Sequence, residues 1–466
     1  MNKNNKSLII IGGGPAGYVG AIRAAQLGAN VTLVEKEEVG GTCLNVGCIP
    51  TKVLTSAAHT YSTLKTADRW GLKISGMELD FSQLMKRKQM VVNRLVTGVK
   101  SLLKARGVNQ VKGTATFLDE KQIEVKTNDG AVQKLEAERF LIATGSIPIL
   151  LPIPGIESEG VIDSTGALSL SAIPQSMLII GGGAIGCEFA YIYRSFGAQI
   201  TIVELLPQIL PGEDEEVSVG LRNSLEKSGI KIFTSSKVME IAPIKDGKSK
   251  VTISSSDGET TVEAEKILLS AGRRPNTKDM GLEKIGIKMD RGIILVDDHL
   301  RTNIPHIFAA GDCIGNWLLA HVASMEAEIA VENALGEDKK MDYHAVPACI
   351  FTHPEIGSVG LNEKQAKEKG MEVKTGKFPM MASGRAQAEN EPDGFVKVVV
   401  EKNSGKIVGA QILGHRATDL IAELTLAIQM GAKTSDIIDT IHAHPTLSEP
   451  IREAVLKAEG RPIHII

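Results

Sequence analysis

The sequence predicts an α/β chain built on two Rossmann-like dinucleotide-binding domains and completed by an α+β C-terminal domain. Three observations carry that expectation. A glycine fingerprint stands at Gly12, Gly14 and Gly17, it recurs at Gly181, Gly183 and Gly186, and the pattern changes to two-residue alternation after about Val346.

The first fingerprint follows the apolar run Leu8-Ile9-Ile10-Ile11 and opens a helical segment reaching about Gly28. Gly12 suits the tight turn, Gly14 lets a pyrophosphate approach the backbone, and Gly17 lets helix and strand pack closely. The next strand, Val31 to Val34, ends on Glu35, which is placed to accept hydrogen bonds from an adenosine ribose. The free N–H groups at the helix start suit phosphate oxygens. The second copy runs from Met177-Leu178-Ile179-Ile180 through its glycines to Ile200-Thr201-Ile202-Val203 and Glu204. In both copies the acid stands 23 positions after the first glycine. One such run is weak; two with the same framing imply two dinucleotides.

Phe140 to Gly145, Ile267 to Gly272 and Ile307 to Asp312 each read as a buried strand reaching a ligand-facing turn. Beyond Val346, Phe395-Val396-Lys397-Val398, the turn Asn403-Ser404-Gly405 and Ile407 to Ile412 predict an antiparallel sheet. Asp419 to Met430 has helical spacing, with Leu420, Leu424 and Ala427 on one face.

The chain's 466 residues suggest about three domains. Lys+Arg 52 against Asp+Glu 55 leaves no basic surface for nucleic acid or membrane. Glu213-Asp214-Glu215-Glu216, after Pro211-Gly212, reads as a solvated helix start and not as a partner site. Five cysteines in so long a chain do not make a secreted disulfide framework, and Cys187, Cys313 and Cys349 read as packing residues. No apolar run approaches the roughly 18 residues of a membrane span. Leu8 to Ile11 is too short for a signal peptide, and the fingerprint begins within the first dozen residues, leaving no N-terminal lipoyl segment. A soluble, cytoplasmic protein without a metal centre is expected.

Two further motifs carry chemistry. Cys43 and Cys48 lie in the run Gly40-Gly41-Thr42-Cys43-Leu44-Asn45-Val46-Gly47-Cys48-Ile49-Pro50-Thr51-Lys52, directly after the first fingerprint. Two inert buried thiols are the plainer reading of such a pair alone; beside a nucleotide pocket it becomes a redox pair. His442-Ala443-His444-Pro445-Thr446-Leu447-Ser448-Glu449 offers a base whose tautomer a carboxylate could hold. By spacing alone, a pair of surface residues beside a proline turn explains it more simply.

Together these two motifs resemble those of the dihydrolipoamide dehydrogenases, in the class I pyridine nucleotide-disulfide oxidoreductase family, and the likeness covers essentially the whole chain. These are the flavoprotein components of 2-oxo-acid (or acetoin) dehydrogenase and glycine cleavage complexes. The resemblance implies FAD in the first module, NAD in the second, and reoxidation of dihydrolipoamide through a Cys43–Cys48 disulfide. It makes Cys43 the thiol that meets substrate and sets Cys48 against the flavin. Lys52 and Glu188 would pair near the flavin ring, with a surface salt bridge as the alternative. Asp312 would bind the flavin ribitol, Gly113 and Ala115 would meet its adenine half, and Gly145, Gly272 and Ala320 join the cofactor-binding positions. His444 would be the base, oriented by Glu449 and acting on the other subunit of an obligatory homodimer, while His442 is structural. The implied domains are 1–148 (FAD, first part), 149–274 (NAD), 275–345 (return segment) and 346–466 (dimerisation). The implied partners are the lipoyl and subunit-binding domains of an acyltransferase, or a lipoyl carrier protein. Glutathione and mercuric reductases are the nearest competitors. Glu204 disfavours the NADPH-linked former, and the absence of cysteines after Glu449 disfavours the latter. A non-catalytic flavin-binding subunit is a third reading, opposed by the thiol pair and His444.

Overall fold

The computed structural model describes residues 6–127 and 129–466. Ser7–Ile11 is the central strand of a parallel sheet, flanked by Asn30–Glu35 and Arg139–Ile142, with Ile307–Ala309 beyond the latter. Both faces of such a sheet are covered, which is why Leu8 to Ile11 is a continuous apolar run. Asn109–Phe117 pairs first with Asn30–Glu35 and then leads an antiparallel meander through Gln122–Thr127 and Val132–Glu136. Helices Pro15–Gln26 and Ala320–Leu335 pack together, Gly20 lying against Ala327 and Val331.

The second module repeats this plan. Ser176–Ile180 pairs in parallel with Gln199–Val203 and Lys266–Leu269, with Lys231–Phe233 and Val161–Ile162 at the edges. Its meander is Lys237–Pro243, Ser249–Ser255 and Gly258–Ala264. The two crossings between the modules, Ser146–Pro148 and Arg273–Pro275, pair as a short antiparallel ribbon. The chain then returns to the first sheet with Ile307–Ala309.

The C-terminal unit is an antiparallel sheet ordered Pro347–Ile350, Glu355–Gly360, Ile407–Gly414, Phe395–Glu401 and Val373–Pro379. Helices Ala417–Gln429 and Glu449–Ala458 cover it over Val396, Val398, Ile412, Leu424 and Ile451. Gly376 lets the last helix lie directly on the sheet, since a Cβ there would stand 2.0 Å from the Ala454 carbonyl oxygen. Among the described residues no helix is long and apolar enough to cross a membrane.

One expectation is corrected. The acidic run opening helix Glu215–Lys227 is not a solvated start: Asp214 caps the helix and pairs with Lys397 at 3.0 Å, both of them buried. Lys397 also reaches Glu216 at 2.8 Å, and Glu213 bonds Ser358 at 3.1 Å. The run therefore docks on the C-terminal sheet; of its four acids, Glu215 is the exposed one. Lys397 reads as one polar residue of an alternating strand, so its partner, far off in the chain, could not be foreseen.

Candidate active site

The cysteine segment is held on the first fingerprint by its backbone. Gly40 N–H donates to the Gly13 carbonyl at 2.7 Å, and Gly41, at φ +54°, lies so close that a Cβ would meet the Gly14 Cα at 2.6 Å. The short helix Gly41–Val46 carries Cys43, breaks at Gly47, and restarts as Cys48–Lys65 with Cys48 as its first residue. A helix N-terminus favours a thiolate.

The two thiols, both free, lie near each other and shift each other's acidity in opposite directions. The hydrogen bond from Cys43 draws Cys48 down to about 7 against the resistance of burial, and the Lys52 charge assists. That same bond, with burial, pushes Cys43 up. Lys52 Nζ lies 2.7 and 2.9 Å from the two Glu188 oxygens. Glu188 is only 6% exposed, so this is not a surface salt bridge. It sits on the second fingerprint's helix, Ala184–Ser195, and accepts from Phe351 N–H of the C-terminal unit at 3.0 Å. The Phe351 ring lies 4.1 Å from Lys52 Nζ, so all three units meet at this lysine.

The two cradles fit their dinucleotides. Gly14 and Gly183 cap their helices without any side-chain hydrogen bond, leaving first-turn N–H groups open. A Cβ on Gly183 would meet nothing within 4 Å, and one on Gly14 only the Gly41 Cα at 3.9 Å. Gly12 and Gly181 turn at φ +105° and +108° against the neighbouring strand, where a Cβ would strike a carbonyl oxygen at 2.2 and 2.6 Å. Gly17 and Gly186 abut the carbonyls of Gly12 and Gly181. Glu35 accepts from Gly13 N–H (2.5 Å) and Glu37 N–H (2.7 Å); Glu204 accepts from Gly182 (2.6 Å) and Leu206 (2.8 Å). Each oxygen keeps a further acceptor site for a ribose. Beside Gly145, the Thr144 hydroxyl is buried without a partner among the described residues, a polar group awaiting a ligand.

Asp312 accepts from Ser146 Oγ at 2.5 Å, and Arg273 clamps Ser146 through Nε to Oγ and a terminal nitrogen to the carbonyl, each at 2.7 Å. Burial lowers Arg273 against the charges of Asp312, Asp163 and Cys48. Fully buried Glu326, on the helix that Ala320 begins, accepts from Gly311 N–H and Tyr343 hydroxyl, each at 2.7 Å, and burial raises it. Sequence reasoning missed Ser146, Arg273, Glu326 and Tyr343. The first two directly follow Gly145 and Gly272, which is the signal that could have found them. Gly113 has a local cause, since a Cβ would stand 2.6 Å from the Lys126 carbonyl across the meander. Ala115 is buried two residues on, where the strand has left its pairing with Glu35.

His444 Nδ1 is 2.8 Å from Glu449, whose other oxygen accepts from Thr446 N–H at 2.8 Å. Burial opposes it, yet these bonds hold Glu449 below the usual carboxylate range. The His444 side chain is 80% exposed, and among the described residues no contact within the chain joins it to either thiol. His442, two residues earlier, is 5% exposed with both nitrogens engaged, by Glu423 and the Thr440 carbonyl. Ile441, Met430 and Leu426 are exposed on the same unit. Cys187 and Cys313 are buried and inert, Cys313 pushed by burial up to about 12.

Residues 6–327 match the family model for pyridine nucleotide-disulphide oxidoreductases, and residues 346–455 match that family's dimerisation domain. A dihydrolipoyl dehydrogenase of Geobacillus stearothermophilus is 47% identical over 98% of this chain and 97% of its own. A mitochondrial dihydrolipoyl dehydrogenase of Dictyostelium discoideum is 41% identical over 100% and 96%. Among solved structures, LpdA of Mycobacterium tuberculosis superimposes with a TM-score of 0.90 at 29% identity, covering 97% of this chain and 99% of that one. The Escherichia coli HOCl-induced flavoprotein disulfide reductase RclA, solved as a Cu(II) complex, gives 0.87 at 30% over 98% and 99%. With its paired fingerprints, its cysteine pair and its dimerisation domain, this chain belongs to the pyridine nucleotide-disulfide oxidoreductase family.

Proposed function

We propose that the protein is an FAD-containing, NAD-linked dihydrolipoyl dehydrogenase that reoxidises protein-bound dihydrolipoamide. The carrying observation is the unequal thiol pair seated on the first fingerprint, with Cys48 drawn down to about 7 and Cys43 pushed up. Identity to curated dihydrolipoyl dehydrogenases over nearly the full length supports the substrate.

With the pair as a disulfide, His444 takes a proton from one substrate thiol, because the thiolate is the nucleophile. That sulfur attacks Cys43 Sγ; the Cys43–Cys48 bond breaks and Cys48 leaves as a thiolate. The second substrate thiol loses its proton and attacks its partner sulfur, releasing lipoamide and returning a proton to Cys43. The substrate has lost two electrons and the cysteine pair has gained them. Bound FAD, held by the first cradle with Asp312, Lys52 and Ala320 near it, supplies the two-electron chemistry linking the pair to NAD+. The second cradle and Glu204 hold NAD+, the carboxylate disfavouring a 2′-phosphate. Lys52 and Glu188 position charge beside Cys48.

The exposure of His444 and the dimerisation domain support action across a homodimer. The crossing ribbon supports boundaries after residues 148 and 274, with a return segment to 345 and an interface domain from 346. The partner is the lipoyl domain of an acyltransferase, with its subunit-binding domain, or a lipoyl carrier protein, in the cytoplasm. The test compares NAD-linked oxidation of dihydrolipoamide with NADPH-linked reduction of glutathione disulfide. Preference for the second pair would overturn the proposal.

A further inference from the structure

Outside the redox centre, three imidazoles and two carboxylates crowd one junction. His59 lies on the redox helix Cys48–Lys65, while His353, Glu389, Glu391 and His415 come from the C-terminal unit. We propose that His59, His353 and Glu391 form a binding site for one divalent transition-metal ion of Zn2+ type, clamping the redox helix to the C-terminal domain.

The geometry is the main argument. One ligand atom from each of the three residues lies within 4.8 Å of the others. His353 Nε2 and Glu391 Oε2 are 3.3 Å apart. Two ligands bonded at about 2.0 Å to a tetrahedral ion are separated by about 3.3 Å, so this pair already spans one edge. His59 offers the third ligand atom, its ring tilted 55° to that of His353 with centroids 5.3 Å apart. All three are half-buried, which leaves them partly desolvated yet reachable from solvent.

The donor set selects the metal class. Two imidazoles and one carboxylate suit Zn2+ and its neighbours, with a fourth position for water, while Mg2+ and Ca2+ prefer all-oxygen shells. A second pair backs the site. His415 stacks on His59 with centroids 5.9 Å apart, and its Nε2 stands 3.8 Å from Glu389 Oε2. That oxygen is buried without a hydrogen-bond partner among the described residues, while the other oxygen of Glu389 pairs with Arg385. A simple hydrogen-bonded cluster would join the imidazoles and carboxylates in close pairs. Here one contact within the group, His353 to Glu391, is as short as 3.3 Å.

The position gives the ion a structural consequence. His59 is 11 residues beyond Cys48 on one helix, about three turns away. His353 is two residues past Phe351, which bonds Glu188 and covers Lys52. An ion here would hold together the two elements that frame the Lys52–Glu188 pair, without touching sulfur.

The experiment uses oxidised holoenzyme, so that the thiols are closed as a disulfide and cannot bind metal. Zn2+ is titrated by calorimetry, and Co2+ by its absorption beyond the flavin band. Wild type is expected to bind one equivalent that both His59→Gln and Glu391→Gln lose, or bind more weakly by at least about a hundredfold. Zn2+ should raise the Tm of wild type and of neither variant. Retained flavin and unchanged NADH oxidation with an artificial acceptor show that each variant is folded, and either variant suffices alone. Equal stoichiometry and affinity in wild type and variants would place the metal elsewhere and overturn the proposal, as would the absence of micromolar binding to wild type.

Discussion

The two glycine fingerprints build the same cradle and then anchor different segments at the same point. In the first, the carbonyl of Gly13 accepts from Gly40 N–H at 2.7 Å; in the second, that of Gly182 accepts from Leu210 N–H at 2.8 Å. After Gly40 the chain turns into the helices bearing Cys43 and Cys48, and after Leu210 it turns into the acidic helix that docks on Lys397. The cradle recurs because a pyrophosphate asks the same of any backbone. What differs is the anchored segment: in one module it carries the two thiols, and in the other it docks on the C-terminal sheet.

The largest test of this contrast removes the sulfur of the first segment. Cys43→Ser and Cys48→Ser should each lower NAD-linked lipoamide turnover on the order of a thousandfold or more. NADH oxidation by an artificial acceptor needs only the two cradles and should persist. Equal loss in both assays would mean that the segment merely supports the first cradle.

His444→Gln should lower the lipoamide reaction by about a hundred- to ten-thousandfold and spare the artificial acceptor. Mixing it with Cys43→Ser should restore turnover through hybrid dimers carrying one complete site. Failure to recover after proven subunit exchange would confine His444 to its own chain.

For the second segment, Lys397→Met leaves Asp214 buried and unpaired. Denaturant unfolding should show a loss of about 3–5 kcal/mol. A change near zero would mean that the docking contributes nothing to stability.

Glu204→Ala should narrow the preference for NAD over NADP. Repulsion of a 2′-phosphate charge at about 4 Å with an effective dielectric near 20 is about 4 kcal/mol, so roughly a thousandfold is the ceiling. Glu35→Ala in the twin module should leave that ratio unchanged and weaken flavin retention. Parallel kcat/KM measurements with both nucleotides check each half of this comparison.

The smallest expected effect is in pH. Cys48 is drawn below its ordinary thiol range to about 7 by the bond from Cys43 and the Lys52 charge. In the reduced protein its thiolate therefore persists above about 7 and is protonated as pH falls through that value. The long-wavelength absorbance expected of a thiolate against bound flavin should follow this titration, and Lys52→Met should move the midpoint upward. An unmoved midpoint would remove Lys52 from the set of groups that tune Cys48.

Much of this was legible in the chain itself, wherever the determinants lie close together in it. The fingerprints impose their own backbone geometry within six residues. Cys43 and Cys48 share one glycine-broken helical segment, and His444 and Glu449 flank a single turn. For such groups spacing permits the contact, because few backbone paths join them, and the neighbouring fingerprint and the resemblance selected it over inert thiols and surface residues. Tertiary structure alone decided the remainder. Ser146 meets Arg273 across 127 residues and Asp214 meets Lys397 across 183, while the Lys52–Glu188 pair, expected from the resemblance, proved part-buried and not a surface salt bridge. It also decided that His442 is enclosed while His444, two residues on, is exposed. Burial and long-range pairing are products of how sheets and helices pack, and packing joins residues whose separation in the chain carries no record of their distance in space.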